Sequence, residues 1–132
     1  MRYKLEKCLE LRRDINSIDE RIAELKLRIR SPKNQIISDM PKGNSRNNSI
    51  EEYLITLEKL ESKKIKYNSR ITDKWQLIYN KLINNGVSEE AITMLRYRFY
   101  YGYSWKVCAD LMNWNKNKCF RVYRAVLSKF NK

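Results

Sequence analysis

The stretch from Asn113 to Arg124, NWNKNKCFRVYR, sets two lysines and two arginines among Trp114, Phe120, Val122 and Tyr123 without one carboxylate. Donors of this kind suit a polyanion: Arg and Lys match guanine edges and phosphates, and Asn matches adenine. If the stretch is helical, Trp114, Cys119, Val122, Val126, Leu127 and Phe130 form a buried face. Lys116, Asn117, Phe120, Arg121 and Arg124 then share the opposite face as base-reading candidates, with Phe120 suited to a thymine methyl. Arg96, Arg98, Ser104, Lys106 and Lys118 are the phosphate-binding candidates, helped by backbone amides at the start of a helix near Ser104.

Positioning those side chains requires short helices with sharp turns, and the punctuation for them is present. Ser88 is placed to cap a helix that opens with Glu89 and Glu90 and runs through AITMLRYRFYY to a stop at Gly102. Ser104 caps WKVCADLM. Asn113 takes the tight turn, where a residue tolerant of positive φ is needed, and Asn115 caps a last helix through Phe130. The spacing predicts a three-helix unit over residues 86–132, in which the last helix is presented outward as in a helix-turn-helix.

Residues 1–85 have a different pattern. Cys8, Leu11, Ile15, Ile18, Ile22, Leu25 and Ile29 alternate in steps of three and four, the seam of a coiled-coil-like helix that should stop before Pro32. Residues 31–49, SPKNQIISDMPKGNSRNNS, contain both prolines and Gly43 and are expected to form a loop, with Ile36, Ile37 and Met40 tucked against its base. Ser49 is the expected cap of a second long helix, with Glu51 and Glu52 in its first turn. Its stripe of Ile50, Tyr53, Leu54, Leu57, Leu60, Tyr67, Ile71, Trp75, Ile78 and Leu82 is broken at Lys64, and Asn84-Asn85-Gly86 ends it. An antiparallel hairpin follows, with Ile18 near Lys64 and Cys8 near Trp75. Lys64 either sets the register or extends its ammonium out to water. The expected fold is all-α: a helical hairpin followed by a helix-turn-helix.

A net charge of +13 on 132 residues favours an anionic partner, double-stranded DNA first. The excess is greatest in residues 86–132, where nine Lys and Arg face three acids and none lies beyond Asp110. Three cysteines, odd in number and widely spaced, with no histidine, give neither a disulfide framework nor a zinc motif, so reduced thiols acting as small hydrophobes are expected. No metal, no cofactor and no catalytic constellation is expected: Glu89 and Asp110 suit capping or a helix surface. The first residues, MRYKLEKCLELRRD, lack an apolar signal core, and no stretch approaches the roughly 18 apolar residues of a membrane span. A cytoplasmic chain with no membrane partner is the expectation.

The run LRYRFYYGYSWKVCADLMNWNKNKCFRVYRAVLSKF resembles region 4 of bacterial sigma factors and, more closely, the ArpU/RinA-type regulators of phage late transcription. SDMPKG at Ser38 to Gly43 resembles a segment of related uncharacterised phage proteins, in which a helical hairpin also precedes the DNA-binding module. The resemblance implies a phage or prophage activator in a bacterial host, associated with the nucleoid, that binds promoter DNA and contacts host RNA polymerase. It carries the base readers onto Lys116, Asn117, Phe120 and Arg121. Asn113 stands where the turn glycine is usual, Cys108 and Cys119 where aliphatics are, and Phe120 where a polar reader is, so sequence preference is not inherited. Two other functions fit the pattern: a DNA-packaging adaptor like the small terminase subunits, and a protein-interaction module built on the hairpin. The seam can pack within the chain or pair two chains as a homodimer.

Overall fold

The computed structural model describes residues 1–30 and 43–130, with side chains in the second helix from residue 49 onward. The expected stop at Pro32, the packing of Ile36, Ile37 and Met40, and nearly all of SDMPKG lie outside the described residues. Every element among those described is helical, so the fold is all-α. The elements are α1 (Arg2–Arg30), α2 (Gly43–Asn84), α3 (Glu89–Leu95), a π-helical turn (Arg96–Tyr100), α4 (Trp105–Met112) and α5 (Lys116–Ser128). No helix among the described residues is long and apolar enough to cross a membrane.

Two compact units are present: one of Met1–Asp14 with Ser69–Lys132, the other of Ile15–Asn68. The parting therefore does not fall at residue 85/86, where the change of pattern put it. Leu5, Cys8 and Leu9 of α1 and Ile71, Trp75, Ile78 and Leu82 of α2 are buried in the unit that also holds the three short helices. The reason is apolar area: helices of 7 and 8 residues cannot bury enough surface alone.

In the unit of residues 15–68, Ile18, Ile22 and Leu60 form a small core, with Leu25, Leu57 and Tyr67 partly buried against it. Lys64 Nζ reaches Asp19 Oδ1 at 2.6 Å, joining α2 to α1 within this unit. Lys64 thus has an ionic partner across the seam. Both side chains are about two-fifths exposed, which limits the pair to about 1 kcal/mol or less. Leu54, expected on the inner stripe, is 48% exposed. Helix α2 also begins at Gly43, so Ser49 lies inside it rather than capping it. With no proline after Pro41, nothing in the Asn- and Ser-rich run forbids a helix, and propensity alone is a weak guide.

In the other unit, three of the turns use one device. Gly86 (φ 75°) and Asn113 (φ 58°) take the left-handed conformation, and the next amide closes back onto the helix: Val87 N–H to Leu82 O at 3.0 Å and Trp114 N–H to Ala109 O at 2.9 Å. Gly102 (φ 78°) follows the π turn, and Tyr103 N–H closes onto Tyr97 O at 3.0 Å. Ser88, Ser104 and Asn115 cap the following helices through Ala91 N–H, Val107 N–H and Lys118 N–H. Helices α3, α4 and α5 each contact the other two. The three cysteines are free and buried, with burial raising the Cys8 and Cys108 thiols to about 11.

The glycines differ in surroundings. Gly86→Ala is expected to cost about 1 to 2 kcal/mol of unfolding free energy through its left-handed backbone alone. Gly102→Ala is expected to cost more, because a Cβ there would lie 2.7 Å from Arg12 Cγ, whereas one at Gly86 meets nothing within 4 Å. Urea denaturation of both variants checks this. Equal losses would show that Arg12 swings aside freely.

Candidate functional site

The basic face of α5 is built by what its other face must bury. Cys119 and Val126 are buried, and Phe120, Val122, Tyr123 and Leu127 are partly so. At 100° per residue these six span about 160° of the helix circumference. Asn117, Lys118, Arg121, Arg124, Ala125 and Ser128 share the remaining arc and are all exposed. Lys116, in the first turn, is exposed too. The ion pairs Arg2–Glu6, Lys7–Glu10 and Lys64–Asp19 all lie on α1 and α2, and the cations of α5 have no ion pair with an acid among the described residues.

Of the base-reading candidates, Asn117, Arg121 and Arg124 lie together, with Lys116 at the N-terminal end. Phe120 does not join them. It is half-buried, and its ring meets Trp105 edge-on at 5.1 Å. Trp105 also packs on Tyr123 (5.4 Å) and Phe99 (6.1 Å), so Phe120 extends an aromatic cluster between α4, α5 and the π turn. A ring held that way is a packing group, which corrects its assignment to a thymine methyl. Tyr123 belongs to the same cluster, and burial raises its phenol pKa.

The phosphate-binding candidates separate similarly. Lys106 is exposed near the start of α4, and Ser104 is exposed beside it; its hydroxyl accepts from Val107 N–H at 3.3 Å and keeps a proton to donate. Lys118 is exposed with its ammonium 4.4 Å from the Trp114 ring centre. Arg98 is not available in the way expected. Its Nη1 donates to Tyr103 O at 3.0 Å, its guanidinium lies 5.2 Å from the Trp105 ring, and its Nε is buried without a partner. Burial, then the nearby Arg13 charge, lowers its pKa. Arg96 is half-buried over Trp75 (5.9 Å) and Tyr79 (5.8 Å), a cation held by two ring faces. Both arginines serve the packing of this unit, which corrects Arg98 and leaves Arg96 at most partly available.

No family model, curated protein or solved structure matches the chain. Side-chain placement must then carry any functional argument. It shows two residues that the sequence reading passed over, Ala125 and Ser128. Their position at i+4 and i+7 from Arg121 was legible, but small uncharged side chains gave no signal of their own. Trp105, the hub of the aromatic cluster, was likewise read only as part of WKVCADLM.

Placing Phe120 in the cluster separates stability from surface chemistry. Phe120→Ala is expected to lower the unfolding free energy by about 1 to 3 kcal/mol, less than for a fully buried ring. Arg121→Ala should stay within about 0.5 kcal/mol of the parent. Urea titrations of the two variants decide the matter, and a Phe120→Ala protein as stable as the parent would return that ring to the exposed face.

Proposed function

We propose that this protein is a DNA-binding transcription regulator of the phage or prophage type, in which α4 and α5 act as a helix-turn-helix and α5 enters the major groove. The observation that carries this reading is the exposed, acid-free face of α5 behind the left-handed turn at Asn113. A helix of this length fits the groove, and Arg121 and Arg124 can present paired donors to guanine while Asn117 pairs with adenine. Ala125 supplies the small apolar contact that Phe120 does not. Lys106, Ser104 and Lys118 flank this face and suit the phosphates on either side.

The resemblance to region 4 of sigma factors and to ArpU/RinA-type regulators supports the same reading, and it brings contact with host RNA polymerase as part of the proposal. Catalysis has no place in it. The aromatic cluster gives the reading a physical basis: Trp105, Phe99, Phe120 and Tyr123 fix the crossing of α4 and α5, so the basic arc is presented on a rigid element.

Selection of bound duplexes from a random pool, followed by titration of the preferred site, tests the proposal. Arg121→Ala should weaken the preferred site by about 1 to 3 kcal/mol and relax one position, whereas Lys106→Ala should weaken all duplexes evenly. Neutralising about four to six phosphates predicts a slope of log affinity against log salt near −4 to −5, made shallower by about 1 in Lys106→Ala. Indistinguishable affinity for selected and random duplexes would remove the claim of specific binding.

A further inference from the structure

The unit that carries α5 has a second cationic feature, on the other side of its sequence, that DNA reading does not use. Tyr3, Lys4 and Lys7 of α1 and Lys74, Leu77 and Ile78 of α2 line a groove of about 160 Å³. Its apolar part is unusually open to water for residues of this type: Tyr3 is 69% and Leu77 65% exposed, over a buried Ile78. Its rim is cationic. Lys7 pairs with Glu10 at 3.3 Å and lies over the Tyr3 ring at 5.4 Å. Lys4, Lys74 and Lys81 have no acid partner among the described residues, and Lys81 lies so close to Lys4 that it lowers the Lys4 pKa. Like charges are left side by side here around exposed apolar surface, an arrangement that costs free energy in the isolated chain.

Three kinds of occupant meet different parts of that chemistry. A DNA backbone would neutralise the lysines but leave Leu77 and Tyr3 uncovered. A second copy would cover the apolar residues but bring the same lysines face to face on a chain of charge +13. A helix with an apolar stripe between acidic flanks satisfies both, with its stripe on Tyr3 and Leu77 and its carboxylates on the lysines. We propose that this groove docks an acidic amphipathic helix of another protein. The inference stands independently of DNA binding by α5.

The probe is a fluorescein-labelled helical peptide of about five turns, with leucines at i, i+3, i+4 and i+7 and glutamates elsewhere, titrated against the full chain by anisotropy and by amide chemical shifts. Its control has the same composition scrambled so that no leucine stripe forms. The expected result is binding at least about tenfold tighter than the control, with shifts centred on Tyr3, Lys4, Lys74 and Leu77. Leu77→Ser should weaken the peptide by about tenfold, on the order of the burial of one leucine, and Lys4→Glu with Lys81→Glu should weaken it further. Leu77 is exposed, so its variant should keep the parent's thermal midpoint and its affinity for duplex DNA.

Equal binding of the scrambled peptide would overturn the proposal in favour of general polyanion attraction. Shifts centred on Lys116 to Arg124 would overturn it in favour of α5. A dimer that Leu77→Ser abolishes would assign the groove to a second copy.

Discussion

Five consecutive side chains on one π-helical turn hold together the unit that carries the basic helix. Arg96 lies over Trp75 and Tyr79 of α2; Tyr97 packs on Tyr101 and Tyr103; Arg98 lies over Trp105 of α4; and Phe99 meets Trp105 and Tyr123 of α5. Tyr100 joins α1 and α2: its carbonyl accepts from Arg12 Nε at 2.6 Å, and its ring meets Trp75 at 6.0 Å. Each aromatic pair or cation over a ring is worth on the order of 0.5 to 1.5 kcal/mol. Their importance is geometric as much as energetic. Four of the five, Arg96, Arg98, Phe99 and Tyr100, have partners on four other helices, and Tyr97 packs on the tyrosines that follow the turn.

The use of arginine here changes how the charge of the chain should be understood. Arg12, Arg96 and Arg98 contribute to the net charge of +13, yet all three are seated on rings or carbonyls of the same unit. Guanidinium suits this role because it is planar and weakly hydrated, so it stacks where an ammonium would stay in water. The cations most available to a partner are the exposed ones, those of α5 together with exposed lysines and arginines of α1 and α2 and Lys106 of α4. Arginine fills both roles in this chain: Arg12, Arg96 and Arg98 are held within the unit, whereas Arg13, Arg21, Arg28, Arg121 and Arg124 are exposed.

What the sequence made legible was mostly local. Ser88, Ser104, Asn113 and Asn115 could be placed because a cap or a left-handed turn depends on a residue and its immediate neighbours. The seam was legible in part: Cys8, Ile15, Ile18 and Ile22 are buried, but so are Leu5 and Leu9, which lie off its spacing, whereas Leu54, in the thinner core of residues 15–68, is exposed despite its spacing. Phe120 and Arg98 were misplaced for one reason. Their helical positions allow either outcome, and what decides is Trp105, a residue of another element that no periodicity within α5 or α3 can announce. The π turn was invisible because its residues continue the apolar pattern of α3, and its identity depends on partners distant in sequence.

The first fourteen residues belong to the same compact unit as residues 69–132, with residues 15–68 inserted between them. During synthesis, Leu5, Cys8 and Leu9 therefore emerge before residues 69–132, the rest of the unit in which they are buried. The segment between them can form its small core of Ile18, Ile22 and Leu60 during that delay. Closing so long an intervening loop costs little more than closing one half its length, since the penalty grows only with the logarithm of loop size. The order of synthesis thus makes the inserted segment available first, and the basic helix gains its complete supporting core last.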